Sequence, residues 1–229
     1  SRPLSTFSDI GTELKLNKQK NYLFDLSYLG VLDIDGNKSA EFLQGQLTCD
    51  INQVSDIHMI QGAQCNLKGR ILALMDVIRW NGIKLVLPKD ILEATQNSLS
   101  KTALLSRVQI KYCEDLKVFG FYLQNQEDIV PDSIFLPKEL YAKAQSSSFC
   151  YYHLGNGFYI FIVEKNTAEQ FSVPFINTNQ RLGSMTWHSL RLNQHQLSIY
   201  PKSRGMFLPH RLSLQNTQYL SFHKGCYKG

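Results

Sequence analysis

Three features are missing from the 229-residue sequence, and each absence excludes a class of protein. A membrane-spanning helix needs about 18 or more consecutive apolar residues, whereas the longest apolar stretch, residues 71–78, is interrupted by Asp76. The first twenty residues contain no apolar core of a secretory signal, and no two cysteines have C-x-x-C spacing. We therefore expect a cytoplasmic protein with no membrane segment, no signal peptide and no zinc ribbon.

The sequence also offers little for metal binding or for the common enzymatic chemistries. Its five cysteines are an odd number, which argues against a disulfide framework and predicts reduced thiols. It contains no phosphate-binding loop, dinucleotide fingerprint, H-E-x-x-H or G-x-S-x-G motif. His188 and His195 are two helical turns apart, but no carboxylate or cysteine stands at ligand spacing from them, so no metal site is predicted. The formal charge of +5 is too small to indicate nucleic-acid binding by itself.

Alternating apolar residues and turn signals predict a protein built from hairpins and a few helices. Asn81-Gly82 is the strongest hairpin signal, because a type I′ turn needs positive φ at both central residues. The run Gly155–Gly157 predicts a second hairpin. Because hairpins imply antiparallel pairing, the predicted class is α+β rather than a parallel sheet, with a coarse duplication of strands and helix in each half.

Helical periodicity predicts one long helix, at residues 89–106, and three shorter ones. A short helix follows the Asp35–Asn37 turn, another starts at Thr167, and a third covers residues 181–193. The apolar face of the long helix consists of Ile91, Leu92, Thr95, Leu99 and Ala103. In the helix over 181–193 the predicted face consists of Leu182, Met185, Ser189 and Leu192.

Two polar stretches are predicted to lie outside the regular structure. Residues 1–21 are expected to form a loose N-terminal segment. Residues 124–148, which hold two prolines, read as a linker or an inserted excursion.

The segment at residues 221–229, SFHKGCYKG, carries a candidate reactive thiol at Cys226. Lys224 and Lys228 would stabilise a thiolate and lower the pKa of the thiol. The glycines on either side would let the backbone turn sharply and expose the sulfur. The alternative is a small structural cysteine buried in a turn.

Arg191, Trp187 and Phe207 are candidate ligand-binding residues near the C-terminal part of the sequence. Arg191 is a fixed cationic donor for carboxylates, although its position off the centre of the apolar stripe also fits a surface arginine. Trp187 and the turn at residues 207–209 could stack on a flat heterocycle, and both also fit a place in the core.

Five motifs together resemble the YgfZ family, folate-binding proteins related to the glycine-cleavage T-protein. These are FLQGQLTCDI at residues 42–51, AQCNLKGRILA at 63–73, WHSLRL at 187–192 with FLP at 207–209, and KGCYKG at 224–229. The resemblance covers residues 22–229 and implies one folate-binding domain of two intertwined antiparallel-sheet subdomains with packed helices. It also implies that a C-terminal barrel domain, which follows in the family, is absent from this chain.

The sequence departs from the T-protein at two positions that matter for chemistry. The T-protein's catalytic Asp has no counterpart among residues 71–75, and Asn193 stands where the T-protein has a Glu that holds the pterin. An amide can still hydrogen-bond a pterin edge but supplies no charge.

The resemblance implies a function, and the departures leave alternatives open. The first hypothesis is an accessory protein that binds tetrahydrofolate or a derivative and supports iron–sulfur client enzymes, including one that modifies tRNA. In it Cys226 is the reactive group, Lys224 favours its thiolate, and Arg191, Trp187, Asn193 and Phe207 bind the folate. The alternatives are a folate-dependent aminomethyltransferase, a non-catalytic RNA- or protein-binding module, and a chain that has lost its function.

Overall fold

The structure, a computed structural model, describes residues 15–192. These residues form an α+β fold with two sheets and four α-helices, which confirms the predicted class. Of the described residues, Leu29–Cys113 form a first compact unit, while 15–28 and 114–192 form a second. The first unit is therefore inserted in the sequence between two segments of the second.

The first unit is a five-stranded antiparallel sheet with two helices. The strand order is β3–β4–β5–β2–β6. In chain order its elements are β2 (Leu29–Asp35), α1 (Ser39–Gln46), β3 (Ile60–Cys65), β4 (Ile71–Arg79), β5 (Ile83–Pro88), α2 (Lys89–Ala103) and β6 (Gln109–Tyr112).

The predicted hairpin at Asn81-Gly82 joins β4 to β5. Both residues have positive φ, 50° at Asn81 and 95° at Gly82, as the turn requires. The side chain of Lys84, a residue that is only 7% exposed, is hydrogen-bonded to the backbone of this turn. Its Nζ donates to the carbonyl oxygens of Trp80 at 2.6 Å and Asn81 at 2.7 Å. The same ammonium lies 3.2 Å from a carboxylate oxygen of Asp33, so the buried charge is paired.

Helix α2 buries the whole of its predicted apolar face, because five residues at helical spacing point to one side of a long helix. The helix ends at Ala103, three residues earlier than predicted, and a 3₁₀ turn follows at Leu104–Ser106. Arg107 then adopts a left-handed conformation with φ of 54°, which stops the helix.

The second unit is a six-stranded sheet with two helices. The strand order is β11–β1–β7–β10–β9–β8, and all pairs are antiparallel except β1 with β11. Its elements are β1 (Tyr22–Asp25), β7 (Leu116–Tyr122), β8 (Lys143–Gln145), β9 (Phe149–Gly155), β10 (Phe158–Glu164), α3 (Lys165–Asn177), β11 (Arg181–Leu182) and α4 (Ser184–Leu192). Aromatic residues of β7, β9, β10 and α3 fill its core.

The interpretation of residues 124–148 as a linker is wrong, because much of this stretch packs on the second unit. Apolar residues spaced among the polar ones, Ile129, Val130, Ile134 and Leu136, lie against the core. The stretch also contains β8 and a 3₁₀ turn at Pro131–Ser133. Residues 134–140, which we term the strap, are held to β9 and β10 by side chains of those strands.

Residues 15–21 are the described part of the segment predicted to be loose, and they are hydrogen-bonded. The Asn21 side chain is fully buried and accepts from the backbone N–H groups of Gln124 and Asn125 at 2.7 and 2.9 Å. Its amide donates to the carbonyl oxygens of Asn125 and Ile129. This side chain therefore ties the start of β1 to the stretch that follows β7.

The prediction of one helix over residues 181–193 is wrong in extent and in buried face. Arg181 and Leu182 form β11, because they pair in parallel with β1, and α4 starts only at Ser184. The buried residues of α4 are Ser184, Thr186, Trp187 and Arg191, whereas Leu192 is 67% exposed. The helix predicted to be short at Thr167 is α3, which has 13 residues and starts at Lys165.

Candidate functional site

An aromatic cluster in the second unit holds Trp187 of α4. The Trp187 ring lies 5.3 Å from the Phe24 ring and 5.5 Å from the Phe158 ring, centroid to centroid. Phe158 in turn stacks on Tyr122 at 4.3 Å with nearly parallel planes. A Cβ added at Gly120 of β7 would lie 2.6 Å from the Trp187 ring, so only glycine lets the indole approach the strand this closely.

Arg191 lies one helical turn after Trp187 and is 7% exposed, so it is not the surface arginine that its position off the centre of the predicted stripe also allowed. Its guanidinium carbon is 5.0 Å from the centroid of the Phe158 ring and 5.9 Å from that of Trp187. Both distances allow cation–π attraction, which offsets part of the cost of burying the charge. Spacing of i and i+4 places Trp187 and Arg191 on the same helix face.

This arrangement gives the second unit a fixed, buried positive charge against two aromatic rings. A guanidinium stays charged at all physiological pH values. Away from bulk water its attraction for an anion is much stronger than at the surface. The site therefore has the chemistry to bind a carboxylate, with Trp187 and Phe158 orienting the cation. Trp187 itself is 4% exposed, so it supports Arg191 rather than offering an open face for stacking.

Two further groups of charged or aromatic residues lie in the same unit. Asp25 at the end of β1 is within 3.2 Å of both Lys117 and Arg181. Burial alone would raise the pKa of the Asp25 carboxyl, but the charge and hydrogen bond of Lys117 hold it below its ordinary value of 3.8. The His188 ring packs edge-on against Tyr28 at 4.7 Å and lies 3.0 Å from the Ser184 carbonyl oxygen through Nδ1.

His153 of β9 is the titratable residue whose environment connects to Arg191. Its residue is 7% exposed, and its ring stacks on Tyr159 at 4.4 Å. Burial lowers the pKa of His153 below its ordinary value of 6.5, and the positive charge of Arg191 adds to this. Backbone carbonyl oxygens of Lys138 and Glu139 act in the opposite direction.

The structure brings together two of the six predicted site residues, Trp187 and Arg191. Four of them, Cys226, Lys224, Asn193 and Phe207, lie outside the described residues. Sequence reasoning missed Phe158, Phe24 and Tyr122, which complete the aromatic cluster. Phe158 follows the Gly155–Gly157 turn directly, and its place at the start of a predicted strand was the one signal available.

The two upstream motifs build the connection between α1 and β3 in the first unit. The backbone N–H of Thr48 donates to the Ala63 carbonyl oxygen, and the Thr48 hydroxyl accepts from the Ala63 N–H, each at 2.9 Å. A Cβ added at Gly62 would lie 2.6 Å from the Cys49 sulfur, so this glycine makes room for the buried thiol. Asp50 accepts from the Asn52 N–H and from the Gln44 amide, both at 3.1 Å.

Among residues 15–192, no group of three histidine, cysteine or acidic side chains could hold a metal ion. In this part of the chain Cys49, Cys65 and Cys150 are buried, Cys113 is half-buried, and none of the four forms a disulfide. None of the helices formed by these residues is long and apolar enough to cross a membrane.

Comparisons with known proteins confirm the predicted resemblance to YgfZ proteins. The chain is 28% identical to the tRNA-modifying protein YgfZ of Colwellia psychrerythraea, over 92% of this chain and 65% of that protein. It is 26% identical to the YgfZ of Klebsiella pneumoniae, over 90% of this chain and 64% of that protein. The chain thus spans about two thirds or slightly less of the length of these relatives. No protein-family profile matches it.

The fold is that of the aminomethyltransferase T of the glycine cleavage system. The crystal structure of this protein from Bartonella henselae superposes with a TM-score of 0.68, covering 84% of this chain and 56% of that one. The sequences are only 16% identical, so this likeness concerns the fold alone.

Proposed function

We propose that this YgfZ-like chain binds a reduced folate, tetrahydrofolate or a derivative, and acts as an accessory protein in tRNA modification and in the assembly or repair of iron–sulfur enzymes. Similarity to tRNA-modifying YgfZ proteins over about 90% of the chain and the fold of a glycine-cleavage aminomethyltransferase support this proposal. The clients are iron–sulfur proteins, and tRNA is reached through them. In this proposal Cys226 is the reactive group and Lys224 favours its thiolate, while Asn193 and Phe207 complete the folate site.

The observation that carries the folate part of the proposal is the buried guanidinium of Arg191 on two aromatic faces. Reduced folates end in a glutamate with two carboxylates, and a buried arginine is well suited to bind one of them. Because the charge is held by Phe158 and Trp187 before any ligand arrives, little side-chain entropy is lost on binding.

The test is isothermal titration calorimetry of the full chain with tetrahydrofolate under anaerobic conditions. Losing a charge-assisted hydrogen bond to a carboxylate costs roughly 1.5–3 kcal/mol, so we expect Arg191→Gln to weaken binding about 10- to 100-fold. Arg191→Lys keeps the charge but loses the planar fork, and is expected to fall between Arg191→Gln and the unchanged chain.

The matched control is Arg79→Gln, which removes a half-buried arginine from β4 of the first unit. It should leave the affinity unchanged. Circular dichroism of each variant shows whether the fold is intact. Equal affinity of Arg191→Gln and the unchanged chain would remove Arg191 from the site, and no heat of binding by the unchanged chain would refute folate binding altogether.

A further inference from the structure

The strap at residues 134–140 is attached to the second unit through alternate carbonyl groups. Three side chains of β9 and β10 make these attachments: Tyr151 to Phe135 at 2.8 Å, Tyr159 to Pro137 at 2.7 Å and His153 to Glu139 at 3.1 Å. The two tyrosine hydroxyls keep their protons in this setting, since burial raises the pKa of Tyr151 and raises that of Tyr159 to about 12. His153 is therefore the attachment that can change its charge in mildly to moderately acidic solution, below its ordinary pKa of 6.5.

The partners of His153 define a single protonation state. A carbonyl oxygen can only accept, so Nδ1 must carry the hydrogen that is donated to Glu139. The backbone N–H of Gly157 points at Nε2 from 3.3 Å, so Nε2 must be the bare acceptor. A proton added at Nε2 would face the Gly157 N–H and break that hydrogen bond.

Gly157 is in turn fixed against the end of β7. Its carbonyl oxygen accepts from the Leu123 N–H at 2.8 Å, and its φ is 83°. A Cβ added here would lie 2.5 Å from the Leu123 carbonyl oxygen, so the turn is pressed closely on this strand. The next residue is Phe158, whose ring carries the Arg191 guanidinium. A chain of contacts thus runs from the His153 ring through Gly157 to the candidate site.

We propose that His153 is a positioning residue of the Arg191 site: its neutral ring holds the Gly157 turn and thereby sets Phe158 beneath the guanidinium, and its protonation releases that turn. This inference rests on the proposed function, in which Arg191 binds a folate carboxylate. It adds that ligand affinity falls as His153 takes up a proton.

Charged residues lie near His153 on three elements: α4, the strap and β8. Arg191 of α4 opposes protonation through its positive charge. Lys138 and Glu139 of the strap are exposed and present their carbonyl oxygens to the ring. On β8, the buried ammonium of Lys143 donates to Gln145 at 2.6 Å. The neutral ring is therefore the form present at pH 7.5, and protonation takes place below pH 6.5.

Two substitutions separate the roles of the two ring nitrogens. His153→Gln places an amide oxygen near the position of Nε2, where it can accept from Gly157 without titrating. His153→Asn places an amide nitrogen near the position of Nδ1, so it keeps the bond to Glu139 and loses the acceptor for Gly157. Each variant keeps one attachment, so a general loss of structure would affect both alike.

The first readout is affinity for 5-formyltetrahydrofolate, a reduced folate that resists oxidation, measured in half-unit steps downward from pH 7.5 while NMR follows the protonation of the His153 ring. The unchanged chain should lose affinity over the same pH interval in which the ring takes up its proton. His153→Gln should show no loss over that interval. His153→Asn should bind weakly throughout. Equal loss in the two variants, or a pH effect that persists in His153→Gln, would overturn the proposal.

The second readout needs no ligand and keeps the two proposals distinguishable. In ¹H–¹⁵N spectra of the ligand-free chain, the Gly157 amide and the Arg191 Nε–H resonance should shift with the same midpoint as the His153 ring. If neither follows the His153 titration, the positioning role is wrong even where folate binds. If both follow it but no folate binds, the proposed function fails while the positioning role stands.

Discussion

At the scale of single residues, the neighbouring lysines and glycines make Cys226 the thiol that the sequence predicts to be reactive. Cys49, Cys65 and Cys150 are buried, which slows the reaction of their thiols. Cys113 is half-buried and is followed by Glu114 and Asp115, whose negative charges disfavour a thiolate. Cys113 is therefore the competitor against which Cys226 is best measured.

We predict that Cys226 reacts with iodoacetamide before the other four thiols. The labelling rate of Cys226 plotted against pH should have its midpoint below the ordinary thiol pKa of about 8.5, because Lys224 and Lys228 stabilise the thiolate. Cys226 should react only severalfold faster than the other thiols, since the nucleophilicity of a thiolate falls as its pKa falls. Peptide mass spectrometry over pH 6 to 9 measures the rates.

Lys224→Gln is the matched variant for this measurement. It should move the midpoint of Cys226 labelling to higher pH and leave the labelling of Cys113 unchanged. Faster labelling of Cys113 in the unchanged chain, or a midpoint of Cys226 labelling at about 8.5 or above, would contradict a reactive role.

At the scale of secondary-structure elements, the hairpin of β4 and β5 depends on a buried lysine that the sequence did not single out. Lys84→Met keeps most of the apolar stem but leaves two turn carbonyls and Asp33 without their donor. The expected cost is about 2 kcal/mol of local stability. Amide exchange across residues 78–87, followed by mass spectrometry, should be about 30-fold faster.

Lys101→Met, at an exposed position of α2, serves as the control and should leave the exchange of the hairpin unaltered. Unchanged exchange in Lys84→Met would show that solvent replaces the ammonium at no cost.

Elements with strong local signals were predictable, and those fixed by distant contacts were not. The face of α2 followed from five apolar residues in 15 positions, and the first hairpin followed from Asn81-Gly82. The face of α4 could not be found in this way, because the burial of Arg191 depends on rings supplied by β1 and β10. The candidate site was therefore predictable as a pair of residues on one helix, but its aromatic support was not.

At the scale of the whole molecule, four titrating groups of the described residues 15–192 shape the dependence of stability on pH: Asp25, Tyr151, His153 and Tyr159. The lowered pKa of His153 means that the native state binds fewer protons than the unfolded state, so its contribution is lost as pH falls below 6.5. The pKa of Asp25 is also lowered, so the stability that its carboxylate contributes is lost as pH falls below 3.8. Tyr159 acts in the opposite direction, because its native pKa of about 12 makes its contribution disappear as pH rises above 10.

We therefore predict that the free energy of unfolding is constant between about pH 6.5 and 10 and falls in two steps at lower pH. Urea unfolding monitored at half-unit intervals of pH would show it. His153→Gln should remove the step just below pH 6.5 and leave the step near pH 3.8 in place. Parallel falls in the free energy of unfolding at low pH for this variant and the unchanged chain would mean that His153 is protonated equally in both states.

The insertion of the first unit between β1 and β7 has a consequence for biosynthesis. Strand β1 leaves the ribosome about 90 residues ahead of β7 and further still ahead of β11, its two partners in the sheet. At translation rates of roughly 5–20 residues per second, β1 waits roughly 5 to 20 s for its first partner. The inserted unit has all five of its strands within one continuous stretch, and its last strand, β6, leaves the ribosome just before β7, so its sheet can be complete when β7 emerges. Nascent chains halted when β6 has left the ribosome and β7 is still inside the exit tunnel should therefore carry a protease-resistant first unit beside a short segment, Tyr22–Asp25, that chaperones can bind.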